Sequence, residues 1–234
     1  MTELTPSSLR IARGQRCTPG EITLVSLATF LFAAIGYFVV SNHNATLAAD
    51  GFAFYNLAIS WDDLIPFTPV FILFYYAYYP VVFSVAALGY RRREVLYQAV
   101  VGYMTITAIA WTCFIAFPVQ MIQADLGSCS TLFCKWVGGI YSVDPGYNVL
   151  PSLHVAHSTM VWLFFRRYAP RLAPLFAFLL VGITMATVLI KQHYLLDLPA
   201  GFLVGYVGYL AGLPLGLRVA TQAGRLFAEN VRSR

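Results

Sequence analysis

The chain has 234 residues, of which 59% are hydrophobic and only 11% charged, and its net charge is +5. A water-soluble domain carries roughly 25% charged residues, so this composition excludes one and points to a single all-α polytopic membrane domain. The positive balance does not imply a nucleic-acid partner, because the basic residues stand at the ends of apolar segments.

A polar tail, residues 1–21, precedes the first apolar run, 22–40, which is long enough to remain as a helix rather than be removed as a signal peptide. Further spans are predicted at 67–89, 96–118, 153–165, 173–190 and 197–217, followed by a second polar tail at 218–234. A crossing helix needs about 17–25 residues. The fourth span is shorter than that, and either extends toward Pro151 or stops partway across. The expected architecture is a six-transmembrane-helix bundle over residues 22–217.

Arginine placement sets the orientation. All thirteen arginines fall in the N-terminal tail (10, 13, 16), the second loop (91–93), the fourth loop (166, 167, 171) and the C-terminal tail (218, 225, 232, 234). Loops 41–66, 119–152 and 191–196 hold none, and only two lysines, Lys135 and Lys191. Both termini are therefore expected in the cytoplasm. His43, His154, His157 and His193 then all lie on the outer side, together with Asp50, Asp62, Asp63, Asp125, Asp144 and Asp197. The expected location is a plasma membrane, such as the bacterial inner membrane, with the titratable chemistry extracytoplasmic. Cys129 and Cys134 share the third loop, and an oxidising compartment permits a disulfide between them; the alternative is a pair of unlinked small residues. Cys17 is assigned to the cytoplasmic side, and Cys113 to packing inside a span.

Two short segments carry the chemistry. "PSLH", 151–154, opens the fourth span. A proline in the first turn loses no hydrogen bond, and the free amides of Ser152, Leu153 and His154 with the helix dipole make an anion site. "KQHYLLDLPAG", 191–201, opens the last span and sets His193 and Asp197 four apart, on one helical face. An aspartate so placed fixes the tautomer of an imidazole and stabilises its cation, the arrangement of an activated nucleophile. A carboxylate at the start of an apolar span is costly and marks function. His43 is read as an interfacial polar residue, and Asp62 and Asp63 as loop charge.

"PSLH" followed about forty residues later by "HYLLD" resembles the type 2 phosphatidic acid phosphatase superfamily. "IPFTPVFILFYYAYYP" (65–80), "DPGYNVLPSLHVAHS" (144–158) and "KQHYLLDLPAG" resemble the branch that groups with inositol phosphorylceramide synthases and is related to sphingomyelin synthases. The resemblance covers roughly residues 60–215. It implies a six-helix enzyme without metal or other cofactor, acting on a lipid substrate. His193 would attack phosphorus and form a phosphohistidine, Asp197 would orient it, and His154 would serve as acid and then base. Ser152 and the neighbouring amides would hold phosphate oxygens.

The chain departs from that pattern in one respect. The superfamily's K-x6-R-P motif is absent, and Thr187 stands where an arginine is expected six residues before His193. Phosphoryl transfer leans on positive charge and aligned donors. Lys191 is therefore the expected phosphate clamp, with neutral donors from Tyr141, Tyr147 and Asn148. A clamp this thin suits a phosphodiester or lipid headgroup better than a dianionic monoester. His157, one turn beyond His154, is assigned to substrate contact, to a partner such as Asp144 or Asp50, or to packing. Two other classes remain open. A zinc hydrolase would use His154, His157, His193 and Asp197 as ligands. A transporter or lipid-binding protein would need polar groups at mid-membrane depth, which the spans lack.

Overall fold

The structure, a computed structural model, describes the backbone of residues 15–232 and the side chains of residues 15–224. The described chain is helical, with no strand. In chain order the α-helices are α1 (Pro19–Ala49), α2 (Ser60–Leu64), α3 (Ile72–Arg91), α4 (Arg93–Ala116), α5 (Leu132–Val143), α6 (Leu153–Tyr168), α7 (Ala173–Leu189) and α8 (Asp197–Arg232). Short 3-10 turns, Pro69–Phe71 and Pro170–Leu172, lead into α3 and α7.

Five helices among the described residues are long and apolar enough to cross a membrane: Pro19–Ala49, Pro69–Arg91, Arg93–Ala116, Pro170–Leu189 and Asp197–Gly224. The chain is an integral membrane protein. The fourth expected span is α6, and it does not extend back to Pro151. It has 16 residues, or roughly 24 Å of helix against about 30 Å of hydrocarbon. It is also the most enclosed element: Val155 to Val161, Phe164 and Phe165 are all buried. Surrounded by α3, α4, α7 and α8, it presents little side chain to lipid, so its polar residues need not meet hydrocarbon. The last helix runs on from the expected end at 217 to Arg232, through the segment read as a polar tail. Residues 1–14 of the N-terminal tail lie outside the described residues.

The closest helix pair is α4 and α8, and small residues are the reason. A Cβ on Gly212 would collide with the carbonyl oxygen of Gln98, and one on Gly205 with the carbonyl oxygen of Ala156 in α6. Lipid supplies no hydrophobic drive for helix association, so close backbone approach through small residues takes its place. At the other extreme, α1 exposes Leu24, Leu27, Ile35 and Val39. It is held at its base by a buried pair, in which Arg93 Nε and Nη2 donate to Glu21 Oε1 and Oε2 at 2.9 and 2.6 Å. Such a pair fixes geometry more than it adds stability. Thr18 caps the same end, its hydroxyl accepting from Glu21 N.

Candidate functional site

The two histidine segments meet where α6 and α8 begin. The amide of Ser152 reaches the carbonyl of Asp197 at 3.5 Å. Gly201 permits that approach, because a Cβ there would stand 2.8 Å from the Ser152 carbonyl oxygen. As a result the His154 and His193 rings lie with centroids 5.9 Å apart, nearly perpendicular at 68°.

His193 sits in the turn between α7 and α8. Its amide and that of Gln192 both donate to the carbonyl of Thr187, at 3.1 and 2.9 Å. Chain reversal here puts Lys191 at φ 53, a left-handed conformation uncommon for a side-chain-bearing residue. Asp197 Oδ2 lies 3.3 Å from His193 Nδ1 and accepts from the Tyr194 amide at 2.7 Å. Asp197 is fully buried and is the first residue of α8, where the positive end of the helix dipole favours a carboxylate. Its Oδ1 has no hydrogen-bond partner among the described residues. With Nδ1 facing the carboxylate, Nε2 is the nitrogen of His193 left for chemistry.

His154 is flanked by two phenols, Tyr75 at 4.3 Å and Tyr78 at 4.4 Å between ring centroids. Both come from α3, whose Tyr75, Tyr78 and Tyr79 share a face by their i, i+3, i+4 spacing. Sequence reasoning gave these tyrosines no role; their spacing is visible, but what they face is not. His157 is buried. Its Nδ1 is 2.7 Å from the Tyr78 hydroxyl, so its partner is neither Asp144 nor Asp50.

A cavity of about 340 Å³ opens beside the histidines and runs down between α1, α3 and α4 as far as Ser26 and Leu96. His154, His157, His193, Asn148 and Asp144 line its upper part. Tyr37 donates to Asp144 Oδ2 at 2.6 Å, and Asn44 Nδ2 donates to Asn148 Oδ1 at 3.1 Å. The described lining contains no lysine or arginine.

Several expected phosphate contacts have other duties. Lys191 does not line the cavity. Its Nζ donates to the carbonyls of Asp62 and Ile65 at 3.0 and 2.7 Å, so it ties the 62–65 segment to the His193 turn. Ser152 is the N-cap of α6, with its hydroxyl fully buried and accepting from Val155 N at 3.4 Å; Pro151 precedes the cap instead of standing in the first turn. Tyr141 donates to the Ile190 carbonyl at 2.6 Å, and burial pushes its phenol up to about 12. Tyr147 packs its ring against Phe54 and does not line the cavity. Of the expected neutral donors, only Asn148 faces it. Cys129 and Cys134 are bonded to each other, with Cα atoms 6.0 Å apart.

Asp62, read from sequence as loop charge, is a buried hub. Its Oδ2 accepts from the Ile59 amide and its Oδ1 from the Leu195 amide, at 2.9 and 2.8 Å. The zinc alternative is not assembled: among the described residues no three His, Cys, Asp or Glu side chains are placed to ligate one ion.

No curated protein and no solved structure matches the chain. Residues 48–211, however, match the PAP2 superfamily. That stretch takes in every helix from α2 to α7, both histidine segments and the start of α8. The chain belongs to the PAP2 superfamily, and with it to membrane enzymes of the phosphatase type.

Proposed function

We propose that the protein transfers a phosphate-bearing group from a membrane lipid through a covalent phosphohistidine at His193. The observation that carries this reading is the His193–Asp197 pair, set beside His154 at the head of a cavity that continues into the apolar bundle.

In the first step His193 Nε2 bonds to phosphorus as the phosphorus–oxygen bond to the leaving group breaks. His154 gives its proton to that oxygen. In the second step the hydroxyl of water or of an alcohol attacks phosphorus, its proton passes to His154, and the phosphorus–nitrogen bond breaks. Asp197 holds His193 Nδ1 throughout, fixing the tautomer and balancing the charge that develops on the ring. Tyr75 and Tyr78 fix the plane of His154. Positioning of this kind accounts for much of the barrier reduction in such transfers.

The absence of lysine and arginine from the described lining favours a lipid phosphodiester over a dianionic monoester. The narrower resemblance to inositol phosphorylceramide synthases, carried by residues 65–80 and 144–158, goes with headgroup transfer to an alcohol. The arginine distribution, with the bond between Cys129 and Cys134, supports a site on the extracytoplasmic face of a six-span protein whose termini are cytoplasmic.

The test is turnover by the full-length protein in vesicles. Phosphomonoester and phosphodiester lipids are offered with water alone and with a long-chain alcohol, and products are read by mass spectrometry. Conversion of at least one lipid, lost in His193→Ala, is expected. No conversion of any of them by folded protein contradicts the reading.

A further inference from the structure

His157 is buried in the cavity wall, about one helical turn deeper than His154. Three residues of α-helix separate the two by roughly 4.5 Å along the axis. Its Nδ1 meets the Tyr78 hydroxyl at 2.7 Å, while its Nε2 is buried with no hydrogen-bond partner among the described residues. The Tyr103 ring stands edge-on, 5.1 Å away between centroids, which offers a weak contact at best. The Tyr103 hydroxyl is itself spent on the Val82 carbonyl at 2.7 Å.

A neutral imidazole carries one donor and one acceptor nitrogen. A phenol hydroxyl that donates to Nδ1 leaves the hydrogen on Nε2. A buried donor without a partner costs about as much as a lost hydrogen bond, and here it belongs to a residue that lines a cavity. Below His157 the lining is mostly apolar: Val82, Ala86, Ala99 and Ala33 contribute to it, the Thr29 hydroxyl is spent on the Val25 carbonyl at 2.8 Å, and Ser26 stands at its foot. Along α1 the cavity wall extends from Phe38 to Ser26, roughly 18 Å of helix, which exceeds half the thickness of the hydrocarbon. The cavity therefore has a polar head at His154 and His193, unpartnered nitrogens in its wall at His157 Nε2 and, from α4, at Trp111 Nε1, and a mostly apolar floor. That order matches a lipid with a phosphate, a polar junction and a hydrocarbon chain.

We infer that His157 Nε2 donates a hydrogen bond to a carbonyl oxygen, ester or amide, at the junction between the substrate's phosphate and its hydrocarbon chains. The inference rests on the reading above, that the phosphate sits at His193. It makes His157 a specificity residue. It also sets lipids with an acyl linkage apart from alkyl-ether lipids and from polyprenyl phosphates, which have no oxygen of that kind to offer.

The test is binding by the full-length protein carrying His193→Ala, so that nothing is turned over. Dissociation constants are measured by native mass spectrometry for three phosphodiester lipids of one headgroup and equal chain length: a diacyl glycerophosphoglycerol, an N-acyl sphingoid phosphoglycerol and a dialkyl-ether glycerophosphoglycerol. At least one acyl-linked lipid should bind about 10-fold more tightly than the ether, as a well-placed hydrogen bond allows. Preference for the ester or for the amide identifies the source of the carbonyl. Adding His157→Phe should erase the preference by weakening the acyl-linked lipids about 10-fold more than the ether, and His157→Gln, which keeps a donor, should restore part of it. Equal binding of all three lipids overturns the inference and leaves the reading of the site intact, as does equal weakening of all three by His157→Phe. Binding of none of them overturns both. If His157→Phe does not fold, the comparison of ether with acyl lipids in the parent protein decides.

Discussion

The side chain of Asp62 and the amide of Leu195 are joined by a 2.8 Å hydrogen bond across 133 residues of sequence. With Lys191 reaching back to the carbonyls of Asp62 and Ile65, the bond closes a brace between the segment before α3 and the turn that carries His193. The turn has no regular secondary structure of its own, so the direction of His193 depends on this brace and on the Thr187 carbonyl.

Asp62→Ala removes the acceptor for two amides, those of Ile59 and Leu195. Each buried donor so orphaned costs about 1–3 kcal/mol. Turnover should fall at least 10-fold while KM changes little, because Asp62 does not line the cavity. Asp62→Asn, which keeps one acceptor oxygen, should recover part of the loss. Wild-type kcat in Asp62→Ala, measured in detergent-solubilised protein, would show that the brace does not orient the site.

Lys191 separates two accounts of the same residue. A phosphate clamp at this position would make Lys191→Met raise KM steeply, with Lys191→Arg rescuing it. The brace instead makes Lys191→Met lower the melting temperature and slow kcat modestly, with KM retained and no rescue by arginine, whose planar fork does not fit two carbonyls arranged for an ammonium. Lys135→Ala, on the exposed side of α5, should change neither. Steady-state kinetics and thermal unfolding of the same preparations distinguish the outcomes.

Removal of His154, or of the carboxylate that holds His193, should be severe. His154→Ala and Asp197→Asn are each expected to lower kcat by about 100- to 10,000-fold, the usual range for positioned acid–base groups. His157→Phe should cost less than 10-fold in kcat. Comparable losses at His154 and His157 would contradict the division of labour between them.

Orientation follows from side chains that face solvent. Cysteines introduced at Asp50 and at Leu64, the latter 78% exposed, should react in intact cells with a thiol reagent that does not cross membranes. Native Cys129 and Cys134 should react only after reduction. Labelling of the introduced cysteines only after lysis would put the site on the cytoplasmic face.

The sequence carries the long-range frame of this site but not its walls. Apolar runs locate the spanning helices because lipid imposes a length, and α6 escapes that rule because other helices enclose it. The candidate trio is visible in the sequence because His154 and Asp197 stand in the first turns of helices and His193 lies four residues before Asp197, although that spacing is made by a turn and not by the helical face expected. Tyr75, Tyr78 and Asp62 are not, since what they face depends on how α3 and the preceding segment pack against α6 and the His193 turn. Lys191 illustrates the same limit: its two-residue distance from His193 places it near the site, but its φ of 53 turns it toward the loop. Glycines at 201, 205, 208, 212 and 216 mark one face of α8 in the sequence, yet only the fold shows that α4 and α6 lie against it.

The central claim, that His193 is the nucleophile, is tested most directly by trapping the covalent intermediate. Full-length protein is mixed with lipid radiolabelled in its phosphate, quenched within one turnover, denatured and mapped by peptide mass spectrometry. The account predicts an acid-labile, base-stable label on the peptide containing His193, absent from His193→Ala. Label that persists in His193→Ala, label on a different residue, or turnover without any labelled protein would contradict it.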